Sequence, residues 1–205
     1  MDNINEIARK FWDNEHRIEN VDNLSGSQYK TQIEGLKLTE YINKGCTVME
    51  VGVGLGYVTK GLYEAGAKVT AVDLSDIALK KVSKYCEMIY TIDHLYYLPS
   101  NYFDVIICAN VVQHIPTIQL IGELKEFMRA LKPGGVFAIE FVSSTTCEDN
   151  GMPPVNRDLI GGGFCRTPAY MEHILNLFGG KCTVIEDVKV DFYPITGCHV
   201  FHVTK

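Results

Sequence analysis

The chain has 205 residues, 46% of them apolar and 21% charged, with a net charge of −6. That length suits one large domain, which buries roughly 70% of its unfolded surface and folds without disulfides or a structural metal. The acidic balance argues against a dedicated nucleic-acid binder, MDNINEIARKFWDNEHR lacks the apolar core of a signal peptide, and no apolar run reaches the ~20 residues of a membrane span. Seven cysteines, an odd number without CxxC pairs, read as reduced thiols of a cytoplasmic protein and not as metal ligands.

Two helical patterns come first. Asn5–Trp12 places Ile7, Phe11 and Trp12 on or near one side, and Gln28–Asn43 repeats Tyr29, Ile33, Leu36, Leu38 and Ile42 at helical spacing. Polar Asn20–Ser27 reads as the loop between them. Residues 1–44 are therefore expected to form a helical cap segment of the same domain, with residues 45–205 as its main body.

From Cys46 onward short apolar strands alternate with helices. CTVMEV is a strand, GYVTKGLYEAG a helix ending on Gly66, KVTAVDL a strand, and SDIALKKVSKYC a helix capped by Ser75. MIYTID and YFDVIICAN are the next strands, Pro116 opens a helix running to about Leu131, and LKPGGVFAIEFV gives a turn and another buried strand. The repeated strand–helix–strand order predicts an α/β fold, a parallel sheet covered on both faces. Ser143–Arg166 is polar, with Gly151, Gly161, Gly162, Gly163, Pro153 and Pro154, and is too long for a plain connection; it reads as a functional loop or lid. A helix over Thr167–Phe178 follows, then CTVIEDVKVDFY and GCHVFHVT, read as a hairpin at the sheet edge.

In open α/β sheets ligands bind beyond the carboxyl ends of the strands. The first such end is Glu50-Val51-Gly52-Val53-Gly54-Leu55-Gly56, where alternate glycines let the backbone turn tightly and approach a ligand closely. The dinucleotide fingerprint GxGxxG fails here, because Tyr57 or Thr59 stands where its third glycine belongs, and no GK[ST] follows to make a phosphate loop. Glu50 would repel phosphates and suits a ligand that carries an ammonium group. S-adenosylmethionine, with an ammonium, a sulfonium and no phosphate, fits better than NAD. Asp73, ending the second strand, can accept from both ribose hydroxyls, and Asp93, ending the third, can accept from the adenine amine.

With EVGVGLG, AVDLS, the Asp93-His94 step, LPSNYFDVIICANVVQHIP and LKPGG in this order, the chain resembles the class I S-adenosylmethionine-dependent methyltransferases of the small-molecule and ubiquinone-biosynthesis type, over about Cys46 to Lys205. The resemblance implies a doubly wound, Rossmann-like sheet of seven strands with one antiparallel strand in its edge region. It implies a cofactor lying across the first four strands, with S-adenosylhomocysteine as product. Glu50, Gly52, Gly54, Gly56, Asp73 and Leu74 would then hold the cofactor, with Asn110 and Val111 beside its methionine moiety and Asp93 and His94 flanking adenine.

Methyl transfer asks for orientation, exclusion of water, and a base when the acceptor is a hydroxyl or protonated amine. His114, just after the fourth strand, is the candidate base, with ordering of the strand-to-helix loop as its alternative role. His173, His199 and His202 read as surface or sheet residues, and His16 as a residue bordering the pocket. The acceptor pocket is expected from Trp12, His16, Arg17 and Tyr29 of the cap segment and from Tyr96, Tyr97 and Phe164. The expected function is transfer of a methyl group to an oxygen or nitrogen of a small molecule. A peptide or RNA acceptor, a non-catalytic cofactor-binding subunit and an NAD-dependent oxidoreductase are the alternatives. The [DN]PP[YF] motif of base-amine methyltransferases is absent where ANVV stands.

Overall fold

The computed structural model describes residues 4–17, 26–143, 166–192 and 195–205. Two helices, α1 (Ile4–Glu15) and α2 (Gly26–Gly35), precede the alternating region. There follow β1 (Thr47–Val51), α3 (Tyr57–Glu64), β2 (Lys68–Asp73), α4 (Asp76–Val82), β3 (Met88–Thr91) and β4 (Phe103–Cys108). The chain closes with α5 (Thr117–Ala130), β5 (Leu131–Ser143), α6 (Pro168–Leu177), β6 (Lys181–Phe192) and β7 (Ile195–Thr204). The seven strands form one sheet in the order β3-β2-β1-β4-β5-β7-β6. β1 to β5 pair in parallel, and β7 runs antiparallel to both β5 and β6. The expected doubly wound sheet with one antiparallel strand near its edge is thus what the chain adopts.

Side chains alternate across the sheet and explain its apolar strands. In β4, Val105 and Ile107 join a core with Ile33 of α2 and Val58 and Leu62 of α3, whereas Ile106 and Cys108 join a core with Leu120, Leu124 and Phe127 of α5. A strand covered on both faces has no solvent side to mark with polar residues. Among the described residues no helix is long and apolar enough to cross a membrane.

Several expected boundaries shift for local reasons. The second helix ends at Gly35, not Asn43, because Lys37 turns left-handed (φ 54°). Leu38 N–H then donates to the Ile33 carbonyl at 2.9 Å and Lys37 N–H to the Glu34 carbonyl at 3.0 Å. This pairing, with buried Ile33 and Leu38 beside it, is a Schellman stop. The third strand ends at Thr91, and Ile92–Tyr97 winds into 3-10 turns, so Asp93 lies past the strand and not on its last residue. LKPGG is not a free turn: it enters β5 as an irregularity in the pairing with β4 between Phe103 and Val105. His199 and His202 are sheet residues, and both are buried. His202 Nε2 lies 2.7 Å from the Leu36 carbonyl, which ties the end of α2 to β7. The lid expected over Ser143–Arg166 falls almost wholly on residues 144–165, outside the described residues.

Candidate functional site

The carboxyl ends of β1, β2 and β4 open into a cavity of about 480 Å³, within the range of small-molecule sites. Its floor is the β1–α3 turn, in which Gly52, Gly54 and Gly56 all have positive φ (75°, 51° and 88°). Their tasks differ. A Cβ on Gly52 would collide with the Val111 side chain, so this glycine lets the turns after β1 and β4 touch. A Cβ on Gly54 would meet only His16 Nε2, at 3.9 Å, so this glycine is the one that leaves backbone bare to the cavity. Gly56 is buried as the N-cap of α3 and does not border the cavity.

Two acids stand at the ends of the first two strands. Glu50 borders the cavity, is 5% exposed, and its Oε2 accepts from Thr59 Oγ1 at 2.5 Å. Burial pushes the carboxyl up to about 8 against that hydrogen bond, and nearby Asp73 adds to the rise. At pH 7 this shift favours the protonated form of Glu50. Asp73 Oδ1 accepts from the Ser75 N–H at 2.8 Å and Oδ2 from the Gly54 N–H at 3.2 Å. Burial raises its pKa too, and these N–H donors and His16 oppose the rise.

The helix α1 covers this floor. Asp13 Oδ1 accepts from Ser75 Oγ at 2.6 Å and from the Ile77 N–H at 3.3 Å, at the N-terminus of α4. Arg9 donates to the Leu74 carbonyl and to Asp93 Oδ2, each at 2.5 Å. Trp12 then lies between two imidazoles, with ring centroids 5.8 Å from His16 and 5.0 Å from His114. Trp12, His16 and His114 all border the cavity. Burial lowers the His16 pKa, with Asp73 pulling the other way.

On the far wall, Asn110 (φ 59°) turns the chain out of β4, in a conformation asparagine tolerates better than most residues. The Val112–His114 3-10 turn follows, its His114 N–H donating to the Val111 carbonyl at 2.8 Å. Arg166, fully buried ahead of α6, donates to the Val112 carbonyl at 2.7 Å and the Ile115 carbonyl at 2.5 Å. It clamps the turn that carries His114.

Of the cofactor residues read from the sequence, Glu50, Gly52, Gly54, Asp73, Leu74, Asn110 and Val111 border the cavity. Asp93 and His94 do not: Asp93 turns outward to Arg9, and exposed His94 places Nδ1 2.7 Å from Thr91 Oγ1. Of the pocket residues, Trp12 and His16 are in place. Tyr29 instead packs against Gly61, where a Cβ would strike its ring, and so belongs to the α2–α3 contact. Tyr96 is 61% exposed and packs on Tyr97, ring centroids 4.1 Å apart, and Arg17 is exposed. Phe164 lies outside the described residues.

Arg9, Asp13, Arg166 and Glu123 were not singled out in the sequence. Arg9 and Asp13 share a helix stripe beside Trp12 and His16, a spacing that the α1 pattern already contained. Arg166 carries no comparable signal, since its partners are about 50 residues away in the chain.

These residues fit S-adenosylmethionine. Glu50 is a buried carboxyl suited to its ammonium, Gly54 leaves bare backbone against it, and Asp73 offers oxygens to a pair of hydroxyls.

The comparisons with known proteins agree. Residues 49–139 match the family model described as "Methyltransferase domain". The chain is 27% identical over 154 residues to a ubiquinone biosynthesis O-methyltransferase of Nitrosospira multiformis, covering 66% of this chain and 57% of that protein. It is 28% identical over 130 residues to the sterol 24-C-methyltransferase erg6 of Aspergillus fumigatus, covering 58% of this chain and 34% of that protein. The chain thus spans between a third and somewhat over half of these relatives. Its fold is similar to that of magnesium protoporphyrin IX methyltransferase (ChlM) from Synechocystis PCC 6803 with bound SAH, with a TM-score of 0.69 and 16% identity over 98% of this chain and 99% of that one. These likenesses bear out the resemblance carried by the motif set.

Proposed function

We propose that the chain, whose residues 49–139 match the methyltransferase domain model, uses S-adenosylmethionine to methylate an oxygen or nitrogen of a small molecule with an apolar body. One observation carries this reading: the glycine floor with Glu50 and Asp73 opens into the same cavity whose opposite walls present Trp12, His16 and His114. Ala8, Leu55, Val58, Ile107 and Ile115 also border that cavity, and they favour an acceptor with an apolar body. Relatives named for ubiquinone biosynthesis and for sterols agree with that choice.

The bound cofactor supplies a methyl group on a sulfonium, and its departure neutralises the charge, so no acid is needed for the leaving group. Glu50, Asp73 and the glycine turn would hold that cofactor, and Trp12, His16 and His114 on the opposite walls would orient an acceptor toward its methyl group. His114 takes the proton released by a hydroxyl or ammonium acceptor. Arg166 holds the turn that positions this imidazole, and Trp12 covers it and limits water. Residues 1–44 serve as the cap of the same domain.

The test is incubation with S-adenosylmethionine and a panel of phenols, amines, peptides and RNA, following S-adenosylhomocysteine by mass spectrometry. Accumulation with a small phenol or amine is expected. Accumulation with peptide or RNA alone would overturn the small-molecule assignment. With the acceptor in hand, His114→Ala is expected to lower turnover by about 10²-fold while cofactor affinity stays within about threefold. Unchanged turnover would remove His114 as the base.

A further inference from the structure

We propose that Glu123 of α5 reads the amine-bearing edge of the cofactor's adenine ring, in place of the acid after β3. The inference rests on the cofactor reading above and adds a specificity-determining residue to it. Glu123 and Gln119, one helical turn apart, border the cavity from α5, and Asp73, Leu74 and Ile92 border it from the ends of β2 and β3. Glu123 Oε2 is screened from solvent and has no hydrogen-bond partner among the described residues. A buried polar atom left this way is costly unless something completes it. Asp93, the alternative acid, does not border the cavity; its side chain is 45% exposed and paired with Arg9 at 2.5 Å.

Among the described residues, the charged and titratable groups that act on Glu123 are Arg166 ahead of α6, Asp93 after β3 and Cys108 of β4. Burial dominates and pushes its carboxyl up to about 8, Arg166 opposing and Asp93 adding. At neutral pH the group is therefore a carboxylic acid, with one oxygen that accepts and an O–H that donates. Adenine offers the complement on adjacent atoms, an amine that donates and a ring nitrogen that accepts. An ionised carboxylate would satisfy only the first.

Calorimetric titrations of the whole chain with S-adenosylhomocysteine and with its purine analogue lacking the 6-amino group test this. The wild type is expected to prefer the amine-bearing ligand by about tenfold, and Glu123→Leu to lose that preference. Glutamine is the isostere of the neutral acid. Glu123→Gln is therefore expected to keep wild-type affinity at pH 7 and to exceed the wild type by about tenfold at pH 9, where the native carboxyl has ionised. This comparison cancels the titration of Glu50 and Asp73, and it decides the matter if Glu123→Leu does not fold.

A retained preference in Glu123→Leu would overturn the proposal. So would parallel pH dependence of the wild type and Glu123→Gln, or loss of the preference in Asp93→Asn. Failure of the wild type to bind either ligand would remove the cofactor reading itself, and the proposal with it.

Discussion

Arg9 and Asp93, 84 positions apart in sequence, meet at 2.5 Å between Nη2 and Oδ2, so that the cap helix is tied to the turn after the third strand. The same guanidinium reaches the Leu74 carbonyl, so one side chain spans the ends of β2 and β3. Half-exposed ion pairs of this kind contribute about 0–1 kcal/mol, so this pair adds modestly to the hold that Asp13 and Trp12 give α1. Arg9→Ala is expected to raise amide hydrogen exchange in residues 4–15 about fivefold and to leave β1, β4 and β5 unchanged. Unchanged exchange in α1 would assign its docking to Asp13 and Trp12 alone.

The buried Glu50 carboxyl makes the ligand-free protein sensitive to pH in a direction opposite to that of an ordinary paired acid. Its folded value of about 8 lies above the usual 4.5, so the unfolded chain gives up this proton first as pH rises. The stability it contributes is fully present below pH 4.5 and is lost as pH climbs through about 8. Glu50→Gln should therefore melt with the wild type near pH 4.5 and above it at pH 8, by about 2–4 °C for each kcal/mol recovered. The variant is expected to bind S-adenosylhomocysteine more weakly. Because an ammonium draws the carboxylate form, wild-type binding near pH 7.5 should release protons, read as a dependence of the calorimetric heat on buffer ionisation enthalpy. A buffer-independent heat would remove Glu50 from the ammonium site.

Asp73 already accepts two backbone N–H groups, from Ser75 and Gly54, so its geometry is set before any ligand binds. Asp73→Asn keeps the shape and loses the charge and an acceptor. The expected result is a fall in S-adenosylhomocysteine affinity of about 10- to 100-fold with the circular dichroism spectrum unchanged. Affinity within twofold of wild type would remove the hydroxyl assignment.

Arg166 is a buried cation spent on backbone carbonyls of the turn before α5. Arg166→Met leaves those carbonyls without their donor and is expected to cost about 2–5 kcal/mol, seen as a lower melting temperature and urea midpoint. Arg166→Lys retains the charge but not the fork, and should recover part of the stability while still depressing turnover more than cofactor affinity. Full activity and stability in both variants would show that the His114 turn holds itself.

Much of this protein was legible along the chain. The alternation of apolar runs and amphipathic helices fixed a doubly wound sheet, and Ser75 and the glycine turn marked helix starts, because periodicity and capping act over a few residues. The position of Glu50 and Asp73 at the carboxyl ends of β1 and β2 was legible for the same reason, since the local pattern sets each strand's direction. Only the tertiary structure decided what each residue faces. Gly52 borders the cavity but is also where the turn after β4 closes on Val111, Tyr29 fills the space above Gly61, and Asp93 is turned to Arg9 past the end of β3. Arg166 reaches the His114 turn from about 50 residues away in the chain, and nothing at its own position foretells it. Local sequence sets which elements form and which side of a strand is apolar. Which side chains meet at a cavity is set by how those elements pack, and that is a property of pairs distant in the chain.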